Sequence, residues 1–194
     1  MDDMSTASDA SVVFLGDSIT AGGDWQAWFP ERTVHNLGVA GDTSDDVISR
    51  MDSVVAFRPG LVALLIGTND LPARHSVEHL VRNIEYIMVS LRRELPGARL
   101  LVQSIMPRGR EFAAQIQDAN RHVRQFAPSI NSHYLDLWPA LALEDGEIDP
   151  EFSTDRVHLT PAGYQAWLSE LHPALARLED APPMSRPIEI IRSE

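Results

Sequence analysis

Short apolar runs alternate with longer segments of helical periodicity along this chain. The apolar runs have the length of buried strands, and they lie at residues 12–15, 33–36, 61–66, 100–103 and 133–137. The third and fourth runs are nearly continuous aliphatic stretches, as is typical of parallel strands that are covered on both faces. This alternation predicts right-handed βαβ units. We therefore expect an α/β fold, a three-layer α/β/α sandwich around a five-stranded parallel sheet.

Helical signals fill the intervals between these runs, at residues 43–57, 77–95, 110–126 and 160–178. The first interval opens with Thr, Ser and Asp, which commonly cap helix N-termini, and it ends before an Arg-Pro-Gly sequence. In the second interval, apolar side chains recur with the helical period and form one stripe. The last interval has Thr160 as its expected N-cap and Pro161 at the first helical position.

The length of the chain and its missing residue types limit both its architecture and its chemistry. At 194 residues it suits one domain, which we place at 11–180 between an N-terminal tail at 1–10 and a C-terminal extension at 181–194. The sequence has no cysteine, which excludes thiol catalysis and cysteine-ligated zinc. It also has no lysine, so a lysine Schiff base and a phosphate-binding lysine are both excluded.

The net charge of −12 disfavours polyanionic partners. An acidic chain repels nucleic acid and anionic membrane surfaces, so we expect neither as a partner. The N-terminal residues lack the basic and apolar regions of a signal peptide, and the longest apolar runs are too short to cross a bilayer. We therefore expect a cytoplasmic protein without membrane insertion. The sequence is also compatible with a homo-oligomer.

Polar, glycine-bearing clusters follow the first four predicted strands. They are GDS at 16–18, NLG at 36–38, GTND at 67–70 and MPRG at 106–109. The carboxyl ends of parallel strands lie at one edge of the sheet, where α/β folds form their ligand crevice. Turn chemistry explains glycines at these positions, but it does not require a serine, a glycine and an asparagine in this order. The clusters therefore predict a reactive site at that edge.

Together with DRVH at 155–158, the first three of these clusters resemble the four sequence blocks of the SGNH (GDSL) hydrolases. The matching residues are Ser18 in GDSIT, Gly38 in NLGVAGDTS, Asn69 in GTND and His158 in DRVHLTPAGY. The blocks follow the family's order and span most of the chain. GDTS at 41–44 and the MPRG cluster are most similar to the platelet-activating-factor acetylhydrolase catalytic subunits. The resemblance implies a flavodoxin-like fold and a cofactor-free serine esterase.

The residue types support the same chemistry directly. A serine hydroxyl is a poor nucleophile at neutral pH and needs an adjacent general base. Among the seven histidines, only His158 has an acid three residues earlier, Asp155, and a helix cap directly after it. Asp155 can therefore orient the imidazole while its other nitrogen takes the proton of Ser18. The alternative is a loop histidine that is held by a local aspartate.

Acyl transfer also needs hydrogen-bond donors for the developing oxyanion, each often worth about 3 kcal/mol. The backbone N–H groups of Ser18 and Gly38 and the side-chain amide of Asn69 are the candidates. A glycine at position 38 would let the chain approach the substrate without a Cβ in the way. Taken singly, Gly38 and Asn69 are typical turn residues. Their placement with Ser18 favours the catalytic interpretation.

Three further residues are candidates for substrate contact. Arg74 and Arg108 are expected on loops at the crevice. For both, contact with an acyl or leaving group and an ordinary solvated side chain are equally favoured. For Asp17, a hydrogen bond to the backbone of its own turn is favoured over a role toward the substrate. Helix-capping or structural roles are expected for Asp42, Thr43 and Asp70.

Two other clusters carry weaker signals. His75 and His79 have the i, i+4 spacing of a metal-binding pair, but no third ligand is evident, so we expect exposed histidines and no bound metal. Trp25, Trp28 and Phe29 follow the predicted nucleophile turn. For these aromatic residues, a position in the core is favoured over the wall of an acyl pocket.

We therefore expect a serine esterase that hydrolyses short-chain or O-acetyl carboxylic esters, its small-molecule substrates, through an acyl-enzyme intermediate. The absence of a long insertion that would cover a lipid tail favours short acyl groups. Lysophospholipase, thioesterase and acyltransferase activities use the same machinery and stay open. A phosphate- or nucleotide-binding module is disfavoured because GDSITAGG lacks both the phosphate-loop lysine and the GxGxxG spacing.

Overall fold

A five-stranded parallel sheet forms the centre of the computed structural model, which describes residues 11–180. The strands are β1 (Ser11–Gly16), β2 (Thr33–Gly38), β3 (Leu61–Leu65), β4 (Arg99–Gln103) and β5 (His133–Leu135). Their order in the sheet is β2-β1-β3-β4-β5, and each neighbouring pair is parallel. The predicted fold class is confirmed, and each of the five predicted strands is present.

Helices connect the strands or flank them. They are α1 (Ser18–Ala21), α2 (Trp25–Trp28), α3 (Ser44–Ser49), α4 (Met51–Ala56), α5 (Val77–Glu94), α6 (Ala113–Phe126), α7 (Trp138–Leu141) and α8 (Pro161–Asp180). Short 3₁₀ segments, Arg110–Phe112 and Ala127–Ile130, extend α6 at its two ends. None of these helices combines the length and hydropathy that a bilayer crossing requires. The predicted segments 1–10 and 181–194 lie outside the described residues.

Helices cover both faces of the sheet, so the molecule has three layers. Successive side chains of a strand point to opposite faces, and β1 follows this rule. Val13 and Leu15 pack into the apolar cluster on the face covered by α3 to α6, whereas Val12 and Phe14 pack into the cluster on the opposite face, beneath α2 and α8. Burial on both faces explains why the central strands are aliphatic almost throughout.

Aromatic rings dominate the core beneath α8. The ring of Trp25 stacks on Phe14 with a centroid distance of 4.0 Å and meets Trp167 edge-on at 4.8 Å. Trp25 and Phe29 are buried, and Trp28 is partly buried beside Tyr164. The predicted core position of this aromatic cluster is therefore confirmed for Trp25 and Phe29.

Helix α8 comes last in the described chain and is anchored to elements from its beginning and middle. The Tyr164 hydroxyl donates a 2.8 Å hydrogen bond to the carbonyl of Ile19 on α1. The Trp167 indole donates a 2.7 Å hydrogen bond to Gln103 Oε1 at the end of β4. These two bonds join the start of α8 to α1, which begins at Ser18, and to the neighbouring strand end.

The predicted helix at 43–57 is wrong in one respect, because it is broken into α3 and α4 at Arg50. The backbone of Arg50 departs from helical geometry, with φ −115° and ψ 16°. Its guanidinium reaches back to the sheet, where Nε lies 2.7 Å from Asp42 Oδ2 and Nη2 donates to the Gly16 carbonyl at 3.0 Å. These tertiary contacts compete with the local periodicity that predicted one continuous helix.

Candidate active site

Ser18 is the first residue of α1, and only Asp17 separates it from β1. The carboxylate of Asp17 caps this helix, since Oδ1 accepts a 2.9 Å hydrogen bond from the N–H of Ile19. The turn therefore brings Ser18 to the carboxyl edge of the sheet, at the start of a helix. This is the edge at which the sequence predicted the reactive site.

Ser18 and His158 meet there from opposite ends of the described chain. Ser18 Oγ lies 3.1 Å from Nε2 of His158, and Nδ1 of the same ring lies 2.7 Å from Asp155 Oδ2. Hydroxyl, imidazole and carboxylate thus form a continuous chain of hydrogen bonds. This is the arrangement in which a serine is activated by an oriented general base.

Hydrogen-bond donors surround the Asp155 carboxylate. The imidazole of His158 binds one oxygen, while the other accepts from the backbone N–H of His158 at 2.7 Å and that of Val157 at 2.9 Å. The hydroxyl of Ser153 adds a longer contact of 3.3 Å. The hydrogen bond from His158, followed by those from the backbone, holds the pKa of Asp155 well below its usual range. Asp155 is therefore a carboxylate throughout the pH range in which an esterase works.

The tight turn between Asp155 and His158 requires a strained backbone conformation at Arg156. Arg156 adopts a φ of +66°, in the left-handed region that residues other than glycine seldom occupy. Its Nε forms an ion pair with Glu147 at 3.0 Å, which anchors the turn to the preceding segment. The left-handed residue lets the chain turn back so that two backbone N–H groups and the imidazole point at one carboxylate.

The acid–base pair is open to solvent. The side chains of His158 and Asp155 are 60% and 52% exposed, respectively. Among the described residues, the acid–base pair is therefore accessible to a substrate that approaches from solvent.

Asn69 lies on the loop after β3, at the same edge of the sheet. Its Nδ2 donates a 2.9 Å hydrogen bond to the carbonyl of Asp42, which fixes the orientation of the amide. A primary amide has two hydrogens, so one remains for a ligand. The predicted donor is therefore held in place while it keeps a free hydrogen.

The predicted role of Gly38 as an oxyanion donor is not supported, because its N–H is engaged elsewhere. It donates a 3.0 Å hydrogen bond to Asn36 Oδ1. The glycine serves close packing instead: a Cβ here would lie 2.1 Å from the backbone nitrogen of Ala21 at the end of α1. The missing Cβ allows the approach of β2 to the helix that begins at Ser18, rather than the approach of substrate.

Gly41 has the features that were predicted for Gly38. Its φ is +85°, and a Cβ at this position would contact nothing within 4 Å, so the backbone faces open space. The N–H of Gly41 makes no hydrogen bond to any other residue in the range 11–180. Gly41 also directly precedes Asp42, whose carbonyl binds Asn69. The sequence signal was present in the GDTS cluster, but glycines at 38 and 41 could not be distinguished without the hydrogen bonds.

Comparison with known proteins identifies the family. The sequence matches the GDSL-like Lipase/Acylhydrolase family over residues 14–166. The chain belongs to this family. It is an ester-hydrolysing serine hydrolase, as was predicted from its four sequence blocks.

Relatives of this GDSL hydrolase share both sequence and fold. It is 28% identical over 181 residues to the platelet-activating factor acetylhydrolase IB subunit alpha1 of Rattus norvegicus, an alignment that covers 88% of this chain and 77% of the rat protein. A GDSL-like lipase from Bacteroides thetaiotaomicron has a similar structure, with a TM-score of 0.73, 22% identity and coverage of 87% of this chain and 89% of that one. The lipase/acylhydrolase from Enterococcus faecalis gives a TM-score of 0.72 at 21% identity, with coverage of 91% and 99%.

Asp17 of this GDSL hydrolase directly precedes Ser18 and is fully buried. The predicted hydrogen bond to its own turn is present, through Oδ1 and Ile19. Its other oxygen, Oδ2, accepts no hydrogen bond from any residue in the range 11–180. Burial is the largest effect on this carboxyl, and it raises the pKa of Asp17 to about 6 despite the hydrogen bond from Ile19.

The two arginines that were proposed for substrate contact differ in their surroundings. Arg108 is partly buried: Nη1 donates to the carbonyl of Thr68 at 2.6 Å, and the guanidinium lies over the ring of Phe112 at 4.8 Å. This cation supports the loop next to Asn69, and burial lowers its pKa. Arg74 is exposed and adopts a φ of +68°. Its contact with substrate stays a prediction.

Two of the three predicted capping or structural residues behave as expected. Thr43 caps α3 in a capping box with Asp46, and the buried Asp70 accepts hydrogen bonds from the backbone and hydroxyl of Ser44. The prediction for Asp42 is wrong, because its carboxylate pairs with Arg50 instead of capping a helix. Its carbonyl, which holds Asn69, has the more direct link to the site.

The expectation that His75 and His79 lack a third ligand is also wrong. Asp45 on α3 lies beside both rings, and one potential ligand atom from each of the three residues lies within 4.8 Å of the others. Asp45 is about thirty positions earlier in the chain than the histidine pair, so local spacing gave no signal for it.

Proposed function

We propose that this chain hydrolyses short-chain or O-acetyl carboxylic esters through an acyl-enzyme intermediate. The observation that carries the proposal is the hydrogen-bonded series of Ser18 Oγ, His158 and Asp155, with heavy-atom distances of 3.1 and 2.7 Å. Its three members take the roles of nucleophile, general base and orienting carboxylate.

In the acylation step, Ser18 Oγ attacks the ester carbonyl carbon while Nε2 of His158 takes the hydroxyl proton. The carbonyl oxygen becomes the oxyanion of a tetrahedral intermediate. Collapse of this intermediate breaks the bond to the alcohol oxygen, and the imidazolium returns the proton to that oxygen. Deacylation repeats the sequence with water as the nucleophile, which yields the carboxylic acid and restores Ser18.

Three donors are proposed for the oxyanion: the backbone N–H groups of Ser18 and Gly41 and the free amide hydrogen of Asn69. Gly41 replaces Gly38 because its N–H is unengaged within the described chain, whereas that of Gly38 binds Asn36. Preorganised donors of this kind commonly supply the largest part of the rate enhancement of acyl transfer.

Two observations support a short acyl group. The imidazole of His158 and the carboxylate of Asp155 are more than half exposed, so the site offers little apolar surface that would bury a long chain. The rat relative is named as a platelet-activating factor acetylhydrolase subunit, which points to an acetyl ester. The alternatives are a lysophospholipid, an acyl thioester, and transfer of the acyl group to an alcohol instead of water.

A panel of p-nitrophenyl esters of increasing acyl length tests this proposal, alongside an acyl-CoA thioester and a lysophospholipid. We expect the highest kcat/KM for acetate, a steady decline with chain length, and no change on addition of EDTA. Ser18→Ala should abolish turnover, whereas Ser169→Ala, an exposed serine on α8, should match the wild type. A maximum at a long acyl chain would overturn the substrate assignment, and activity retained in Ser18→Ala would overturn the mechanism.

A further inference from the structure

A cluster of two histidines and an aspartate lies outside the catalytic residues. Asp45 is in the first turn of α3, His75 precedes α5, and His79 lies in its first turn. Asp45 Oδ2 lies 2.8 Å from His79 Nε2 and 3.7 Å from His75 Nδ1. We propose that these three side chains bind a divalent transition-metal ion such as Zn²⁺, at a site separate from the Ser18 triad.

The spacing of the three atoms suits a single ion. Zn–N and Zn–O bonds of about 2.0–2.2 Å at tetrahedral angles place neighbouring ligand atoms about 3.3–3.6 Å apart. The observed separations from Asp45 Oδ2 fall on either side of this range, and none of the three separations exceeds 4.8 Å. Side-chain rotations would bring all three atoms onto one ion, with His75 Nδ1 exchanging its 3.3 Å contact with Asp70 Oδ1 for the metal.

The donor types also favour a transition metal over calcium or magnesium. Imidazole nitrogens suit Zn²⁺, Ni²⁺ and Cu²⁺, whereas Ca²⁺ and Mg²⁺ prefer oxygen ligands. Two imidazoles and one carboxylate leave the remaining coordination positions for water. The side chains of Asp45 and His79 are 50% and 42% exposed, so water can occupy those positions.

A second layer of contacts orients the carboxylate toward the histidines. The amide Nδ2 of Asn83 donates to Asp45 Oδ1 at 2.8 Å and to Ser44 Oγ at 2.9 Å. Oδ2 of Asp45 therefore remains for the histidines. Outer contacts of this kind fix metal ligands in their binding orientation. None of the ion pairs found among residues 11–180 joins Asp45 to an arginine, so no cation of the protein competes for this carboxylate.

In this structure, His79 Nε2 donates a hydrogen bond to Asp45 Oδ2, because a carboxylate oxygen at 2.8 Å can only accept. An ion bound at this cluster would take the place of that hydrogen, since a histidine nitrogen binds a metal through its lone pair and metal binding releases the proton.

An ion at this position would connect α3 to the loop between β3 and α5. His75 also lies 3.3 Å from the buried carboxylate of Asp70, the neighbour of Asn69. Because such an ion would bind the folded chain and not the unfolded one, it should raise the melting temperature.

Calorimetric titration of the tag-free full chain with Zn²⁺, after removal of metal by a chelator, tests the proposal. We expect one Zn²⁺ per chain. Asp45→Asn, His75→Gln and His79→Gln should each weaken binding by at least about tenfold, since even outer contacts to a metal ligand contribute about 10–100-fold to affinity. His122→Gln is the matched control, because His122 is an exposed histidine 3.7 Å from an aspartate that belongs to no group of three potential metal ligands among residues 11–180.

Thermal unfolding provides a second readout. Zn²⁺ should raise the melting temperature of the wild type and of His122→Gln but not that of His79→Gln, whose metal-free melting temperature should match the wild type. Absence of saturable binding to the wild type would overturn the proposal. So would binding that His79→Gln leaves intact, or that His122→Gln weakens to the same extent. Because no ester is used, these outcomes are independent of the proposed hydrolysis.

Discussion

Nε2 of His158 lies 3.1 Å from the hydroxyl oxygen of Ser18, although 140 positions separate the two residues in the chain. Ser18 is held by the first strand and the short helix after it, and His158 by the turn before the last described helix. Proton transfer between them therefore depends on the packing of the whole domain. Variants of single residues can test the contribution of each group to activity and stability.

Asp155→Asn should lower kcat by up to about 10⁴-fold, because an amide cannot stabilise the imidazolium or fix its tautomer as a carboxylate does. KM should change little. Since the pKa of Asp155 lies well below its usual range, this residue should contribute no acidic limb to the pH–rate profile at pH values near neutrality. Steady-state kinetics on the variant checks the prediction, with the exposed Asp145→Asn as the control. An Asp155→Asn enzyme with wild-type kcat would show that His158 is oriented by other groups.

Asn69→Ala should lower kcat by about 10²–10³-fold through the loss of one oxyanion donor. The variant also loses the hydrogen bond to the Asp42 carbonyl, so its thermal stability must be measured in parallel. An unchanged kcat with a raised KM would assign Asn69 to ground-state binding instead.

Gly38→Ala and Gly41→Ala should both destabilise the protein, but for different physical reasons. The new Cβ at position 38 would lie 2.1 Å from the Ala21 nitrogen, and overpacking of this kind costs about 1–3 kcal/mol in the free energy of unfolding. It should also reduce kcat, because α1 carries Ser18. The Cβ at position 41 would meet no other atom, but an alanine is strained at this positive φ, which should lower the free energy of unfolding by about 1–2 kcal/mol. Urea unfolding of both variants is the measurement. A neutral Gly38→Ala would contradict the close approach of β2 to α1.

Asp17→Asn should stabilise the protein above pH 6. The native pKa of about 6 exceeds the usual 3.8, so the folded state binds the proton more tightly and wild-type stability falls as pH rises between these values. The amide keeps an acceptor for the Ile19 N–H but carries no buried charge. The gain in unfolding free energy should therefore grow across this window and reach about 3 kcal/mol above it, at 1.36 kcal/mol per pKa unit. Urea unfolding across this pH range tests the trend, with the exposed Asp24→Asn as the control. A gain that is independent of pH would refute it.

Local patterns were sufficient to predict the sheet and to select three residues that the fold brings together at its carboxyl edge. The strand positions follow from apolar runs that must be buried on both faces, and Ser18, Asp155 and His158 follow from residue types placed beside a strand end or a helix cap. These signals are local, since each depends on residues within a few positions of one another.

Features that depend on distant contacts could not be predicted in this way. The helix break at Arg50 results from a guanidinium that reaches Asp42 and the Gly16 carbonyl. The proposal of Gly41 in place of Gly38 depends on which N–H already has a partner. Asp45 joins His75 and His79 only because α3 and α5 pack side by side. Periodicity carries no information about any of these tertiary relationships.

The hydrogen bond from Tyr164 to Ile19 joins α8 to α1, so the rate of hydrolysis should depend on the position of α8. The turn that carries His158 leads directly into α8, whereas Ser18 lies at the start of α1, just after the first strand. A urea concentration that displaces α8 should therefore abolish ester hydrolysis while the circular dichroism signal of the sheet is unchanged. Inactivation would then occur at a lower urea concentration than global unfolding. The difference between the two midpoints would measure the stability of the packing of α8 relative to that of the whole domain.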